Sequence, residues 1–256
     1  MRTLLLLPLL GLAVWPTGAN PVDIYKRIIG GGVCNDNEAK YQVYVSNAAG
    51  TAMCGGSLLG DKWVLTAAHC DEPGLTVYTG IPDRKLSKKN VHGQKITVNP
   101  FNHGYTGSGD PENDIMLLKL NTAVTGDFVK LPTEDQCNTV NQQAPANTDL
   151  LVAGWGDTDP NDPNSESDDL MCVKIKTATC PIGATDPPKS DQFCAGTAAK
   201  TPFCGDSGGG LVHEVGHVVY GVVSGPCELK GQHVTEIFTS VCYHLAWIIN
   251  TMNNNP

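Results

Sequence analysis

Apolar residues along this chain fall in short runs rather than along a helical stripe. From Tyr41 to Leu120 the runs are YQVYVS, GGSLL, WVLTAA, LTVYTG, QKITVN and DIMLLKL, with turn-forming stretches between them. Their β-branched and aromatic content and their length are those of buried or half-buried strands. The same grammar returns from Asp149 in DLLVAGWG, MCVKIKT, VVYGVVS and HVTEIFTSV. Two successive sets of short strands predict an all-β chain of two packed six-stranded antiparallel barrels. The first covers residues 28–130 approximately and the second 140–242, with 121–143 crossing between them. Only the tail departs: Leu245, Ile248, Ile249 and Met252 recur at helical spacing, predicting a short C-terminal helix over roughly 243–252.

The start of the chain belongs to neither barrel. Arg2, an apolar run from Leu4 to Trp15, and the small residues Thr17 and Ala19 give residues 1–19 the layout of a secretory signal peptide. That run is too short to span a bilayer, so a secreted, extracellular protein is expected, with no membrane partner. Residues 20–27, NPVDIYKR, end in a basic pair before IIGGG. The full chain of 256 residues carries a net charge of −9, and without residues 1–27 it holds 14 basic and 25 acidic residues. Such an acidic chain is a poor partner for nucleic acid. Ten cysteines in a secreted chain predict five disulfides, whose pairing spacing alone does not give. No C-x-x-C zinc pattern and no Asn-x-Ser/Thr glycosylation acceptor occurs.

Chemistry gathers at Thr201–Leu211, TPFCGDSGGGL. A serine hydroxyl is a weak nucleophile at neutral pH and needs a base and donors for the developing oxyanion. Glycines on both sides of Asp206 and Ser207 let the backbone turn sharply and aim its amides outward. The partners lie upstream: His69 ends the strand-like run WVLTAAHC, and Asp114 precedes the buried pattern of NDIMLLKL. The order His, Asp, Ser, each in its own context, resembles the trypsin and chymotrypsin family of serine endopeptidases from Ile28 to about Met252.

The resemblance implies a catalytic triad of His69, Asp114 and Ser207. The oxyanion would be held by the amides of Gly205 and Ser207. It implies a zymogen cut between Arg27 and Ile28, whose freed α-amino group pairs with Asp206. It implies the disulfides Cys34–Cys172, Cys54–Cys70, Cys137–Cys242, Cys180–Cys194 and Cys204–Cys227. Ser224 matches a family serine beside the triad aspartate. A protein or peptide substrate, an activating protease and protease inhibitors are the implied partners; a monomer without cofactor is expected.

The primary specificity pocket departs from the family pattern. Aligning on Cys204 puts Pro202 and Phe203 where an acidic anchor for basic side chains often lies, and one residue is missing before Gly205. After Ser224 only Gly225 and Pro226 precede Cys227. Glu236 stands at a common glycine position and either anchors basic side chains, fills the pocket or sits at its rim. These departures keep open a second class, a protease-fold protein with weak or no catalysis that acts as a binding module. A rival motif, His213–His217 (HEVGH), fits the H-E-x-x-H zinc signature, which needs a helix; Gly209, Gly210, Gly216 and the flanking valines favour a hairpin instead. The acidic stretch DTDPNDPNSESDD, 157–169, reads as a solvated loop, which the resemblance places near the leaving-group side of the cleft because it follows GWG. The loop 82–95 offers only Asp83 as a carboxylate, so no calcium site is expected there.

Overall fold

The computed structural model describes residues 28–256 apart from 51–52, 82–85, 88–89, 92–93, 106, 108–111, 139–142, 160–161, 163–164, 181–187, 198 and 226–234. The expected signal and activation segments, Arg27, the charged and acidic side chains of the 82–95 loop before Gln94, Pro226 and Cys227 lie outside the described residues.

The first half contains β1 (Gly32–Val33), β2 (Gln42–Ser46), β3 (Met53–Leu58), β4 (Trp63–Thr66), β5 (Thr76–Thr79), β6 (Leu86–Ser87), β7 (Asn90–Val91), β8 (Gln94–Asn102) and β9 (Met116–Leu120). Six of them close a barrel in the order β2-β3-β4-β9-β8-β5, while β6 and β7 form a separate two-stranded ribbon. All barrel pairings are antiparallel. Closure leaves no edge strand to pair with another chain.

A short helix α1 (Glu134–Cys137) follows, started by a capping box between Thr133 and Gln136. The second half adds β10 (Leu150–Gly154), β11 (Met171–Ile175), β12 (Thr177–Ala178), β13 (Gln192–Ala195), β14 (Gly210–His213), β15 (Val218–Val223), β16 (Glu236–Ser240) and α2 (Leu245–Asn254). Its seven strands, joined by β1 from the first half, form one curled eight-stranded sheet, β1-β11-β10-β14-β15-β16-β13-β12. The edges β1 and β12 are two-residue strands, too short to carry a hydrophobic pattern. Strand β11 shows the period of two, with Met171, Val173 and Ile175 buried and Lys174 exposed. The strands β2, β4 and β10 are buried along their whole length.

The halves share a core. Leu151, Ala153, Val212, Val219 and Val222 of the second sheet belong to the same apolar cluster as Val43, Leu65 and Met116 of the barrel. A second cluster fills the sheet around Leu150, Met171, Leu211, Tyr220 and Phe238. The crossing segment is tied down at Lys130, whose amide donates to the His217 carbonyl and whose carbonyl accepts from the Val219 amide. Disulfides join Cys34–Cys172, Cys54–Cys70, Cys137–Cys242 and Cys180–Cys194. Cys204 is also disulfide-bonded. The tail helix begins two residues later than its pattern suggests and buries Leu245 and Ile248.

Candidate active site

Strand β4 ends at Thr66, and the chain turns through a single 3-10 turn, Ala68–Cys70, that lifts His69 out of the barrel. The flanking Ala68 and Cys70 are buried while His69 is exposed. The Cys54–Cys70 bond anchors the turn to β3. Asp114 sits before β9, the neighbour of β4, and is 2% exposed. Its Oδ1 accepts from the His69 backbone N–H at 2.8 Å, and its Oδ2 lies 2.7 Å from His69 Nδ1. The Ser224 hydroxyl donates to the same Oδ2 at 2.5 Å. A buried carboxylate with this many donors is an orienting group: it fixes the ring plane and favours the tautomer with its proton on Nδ1. Nε2 is then the basic nitrogen.

The serine loop approaches this pair across the seam between the halves. The Ser207 carbonyl accepts from the Gly55 amide at 2.7 Å, and the Gly55 carbonyl accepts from Thr66 Oγ1 at 2.8 Å. One chain of bonds thus runs from the loop to the end of the strand that carries His69. Gly208 must be glycine here. Its φ is +79°, and a Cβ would collide with Thr66 Oγ1 and the Gly55 carbonyl. Gly205, at φ +87°, makes the other sharp turn. Among the described residues the amides of Gly205 and Ser207 donate no hydrogen bond, and Ser207 Oγ is not hydrogen-bonded to His69. Two unspent amides at a half-buried turn are donors free for an anion.

Asp206 is fully buried. Its Oδ1 accepts from the Gly156 amide and its Oδ2 from the Phe203 amide, both at 2.9 Å. Burial raises its pKa to about 7; the two amides work against that rise and Asp157 adds to it. No ion pair reaches it among the described residues. Ile28 is fully buried in the second core, and Ile29 forms an isolated bridge with Thr201 a few residues before Asp206. With the chain continuous at Arg27, the Ile28 nitrogen is an uncharged amide.

Around the expected pocket, Pro202 is buried and Phe203 half-buried. The amides of Ser224 and Gly225 both donate to the Ile237 carbonyl at 3.1 Å. Glu236 faces this turn: a Cβ on Gly225 would land inside its carboxyl. Burial raises the Glu236 pKa to about 8, with the Ile237 amide opposing and Asp206 adding. The residue is half-buried, and its surroundings favour the protonated carboxyl near neutral pH. The HEVGH motif runs off the end of β14 through a turn into β15, with positive φ at Gly216 and His217. Among the described residues the one group of potential metal ligands is Cys54, His69 and Cys70, and its two sulfurs are bonded to each other.

Three features of the site carry little or no signal in a single sequence. Gly154 and Gly156 flank Trp155 and wrap the Asp206 carboxyl so closely that a Cβ on either would strike it. Asp191 accepts from the Asn113 amide at 2.8 Å, next to Asp114. His244 in turn contacts Asp191. The paired glycines of GWG were the only visible hint of the first.

The family model described as Trypsin matches residues 28–248. The chain is 32% identical over 265 residues to trypsin of Xenopus laevis, covering both chains in full. It is 32% identical over 267 residues to anionic trypsin of Bos taurus, again over both full chains. Renal glandular kallikrein of Mastomys natalensis is 33% identical over 254 residues, covering 91% of this chain and 92% of that protein.

Proposed function

The chain belongs to the trypsin family, and from that membership we propose that it is a secreted serine endopeptidase made as a zymogen. The observation that carries the reading is the Asp114 carboxylate, gripped by the backbone and ring of His69 and by Ser224. Such an arrangement has a use only if His69 must hold one orientation while it gains and loses a proton.

In the proposed reaction Ser207 Oγ attacks the scissile carbonyl carbon and His69 Nε2 takes its proton. The amides of Gly205 and Ser207 hold the oxyanion, and Asp114 stabilises the imidazolium. His69 then gives the proton to the leaving amine, and the acyl-enzyme is hydrolysed by water activated at the same nitrogen. These are the roles that a Ser-His-Asp triad plays in this family.

Activation follows from Asp206. Residues 1–19 would be removed as a signal peptide and 20–27 as a propeptide, by an activating protease that cuts after Arg27. Cleavage turns the Ile28 amide into an ammonium, mostly cationic near neutral pH. That cation gives the buried Asp206 carboxyl a partner and favours its ionised form. The turn carrying Gly205 and Ser207 is then fixed at both flanks.

For specificity, Pro202, Phe203, Ser224, Gly225 and Glu236 would form the pocket for the side chain before the cut. Glu236 replaces the missing acidic anchor, as a carboxyl that is neutral when the pocket is empty and ionises against a bound cation. A binding module with little catalysis is the second reading, favoured by the missing Ser207–His69 hydrogen bond; such bonds often tighten only when substrate is bound. Incubating Arg27-cleaved protein with a peptide library, with and without a strong chelator, separates the readings. Chelator-resistant cleavage that vanishes in Ser207→Ala supports the serine peptidase. No cleavage by fully processed protein supports the binding module, and chelator-sensitive cleavage would assign the activity to a metal.

A further inference from the structure

The loop that carries Asp114 is held from behind by a second histidine–aspartate pair. Asp191, just before β13, is 1% exposed, and His244, the residue preceding α2, is 2% exposed. His244 Nε2 lies 3.0 Å from Asp191 Oδ2, and the same oxygen accepts from the Asn113 amide at 2.8 Å. The Asn113 bond crosses between the halves, because Asn113 enters β9 of the barrel while Asp191 enters β13 of the sheet. Asn113 has φ +59°, a left-handed conformation that asparagine tolerates better than most side chains. Its carbonyl accepts from the Ile115 amide at 2.7 Å. The turn at 113–115 is therefore set on both sides of Asp114.

Two further facts separate this pair from ordinary packing. Asp191 Oδ1 and His244 Nδ1 are buried with no hydrogen-bond partner among the described residues. An apolar pair of similar shape would avoid that desolvation loss, so fold stability alone does not account for these residue types. The pair is also braced: His244 meets the edge of His103 at 5.3 Å and of Tyr243 at 5.0 Å, and His103 stacks on Trp247 at 4.6 Å. Burial alone would raise the Asp191 pKa. The bonds from His244 and Asn113 outweigh it and leave the carboxyl below its usual range.

We infer that Asp191, held by His244, is a positioning residue for catalysis: by fixing the Asn113 amide it aims the Asp114 carboxylate at His69. The inference rests on the proposed triad. It names a second tier, His244 to Asp191 to Asn113, standing behind Asp114 and His69.

The test compares Asp191→Ala, Asp191→Asn and His244→Phe with the parent, all cleaved after Arg27. With a peptide amide substrate, Asp191→Ala is expected to lower kcat roughly 10- to 100-fold with KM within about twofold, the scale of loss for a slightly misaimed reacting group. The acid limb of its kcat/KM profile should move to lower pH, because the imidazolium loses its aligned carboxylate. Asp191→Asn keeps an acceptor for Asn113 and should restore kcat to within about threefold of the parent. If Asp191→Ala does not fold, His244→Phe is read instead, with a smaller fall in kcat and the same displacement of the acid limb. A folded variant with unchanged kcat and unchanged acid limb overturns the inference. An inactive parent would instead sink the proposed function. In that case the low-field proton resonance of the His69–Asp114 hydrogen bond, recorded in Ser207→Ala with and without Asp191→Ala, decides: persistence unshifted overturns the positioning role, and loss or a shift supports it.

Discussion

Cleavage at Arg27 should change how stability depends on pH, and Asp206 sets the size of the change. In the uncut chain its carboxyl is buried against two amides and, among the described residues, no cation, with a pKa of about 7 against an ordinary 3.8. Between those values the folded chain holds a proton that the unfolded chain has released. Unfolding free energy therefore falls as pH rises from about 4 to about 7 and stays low above that. A difference of about 3 pH units corresponds to about 4 kcal/mol, a large part of the stability of a typical domain. After cleavage the Ile28 ammonium stabilises the carboxylate, and most of that loss should disappear. The assay is urea unfolding followed by tryptophan fluorescence at pH 4, 5.5 and 7, in a Ser207→Ala background that prevents self-digestion. Uncut, cut and uncut Asp206→Asn proteins are compared. Glu236 adds pH dependence of the same sign; its shift comes first from burial, which Asp206→Asn leaves in place, so most of its contribution cancels in the difference. Between pH 4 and pH 7 the uncut protein should weaken by about 3 kcal/mol relative to the Asp206→Asn variant, most of the full shift. The cut protein should not. Parallel curves for the uncut protein and uncut Asp206→Asn, or an equally steep loss in the cut protein, would refute the buried-carboxyl argument.

Other consequences follow from single residues. Arg27→Gln should leave the chain uncut and its amidase activity near background, measured after treatment with an arginine-directed protease; full activity would refute the zymogen mechanism. Because Glu236 ionises near pH 8, preference for Lys or Arg over an uncharged residue before the cut should rise roughly tenfold from pH 7 to pH 9. Glu236→Gln should flatten that rise in a ratio of kcat/KM values. Gly208→Ala should abolish activity and cost several kcal/mol, read by thermal unfolding, since its Cβ would meet the Gly55 carbonyl and Thr66 at a left-handed φ. Ser224→Ala should lower kcat more than it raises KM, because its hydroxyl bonds to Asp114 rather than lying deep in the pocket.

Local features of the site were legible because their signal is local. WVLTAAHC reads as a strand ending at a histidine, and the chain does turn out of β4 to present His69. NDIMLLKL reads as a carboxylate before a buried strand, and Asp114 sits there. The hairpin flanks of HEVGH carried enough β-propensity to keep it from a helix. The second sheet was less legible. Its edge strands β1 and β12 have two residues each, and what makes them strands is pairing with β11 and β13, not their own pattern. Asp191 and His244 were invisible for a similar reason: a polar residue in KSDQF and a histidine after Tyr243 look like surface groups until the fold brings them together across 53 positions. The burial that pushes Glu236 upward likewise arises only from its neighbours in space.

The central claim is that Ser207 becomes a nucleophile when His69 and Asp114 are aligned and the chain is cut at Arg27. Its most direct measurement is covalent labelling by a fluorophosphonate, with the modified residue located by peptide mass. The account predicts near-stoichiometric label on Ser207 in the cut protein, and almost none in the uncut protein or in cut His69→Ala. An unlabelled cut protein, or equal labelling of cut His69→Ala, would contradict it.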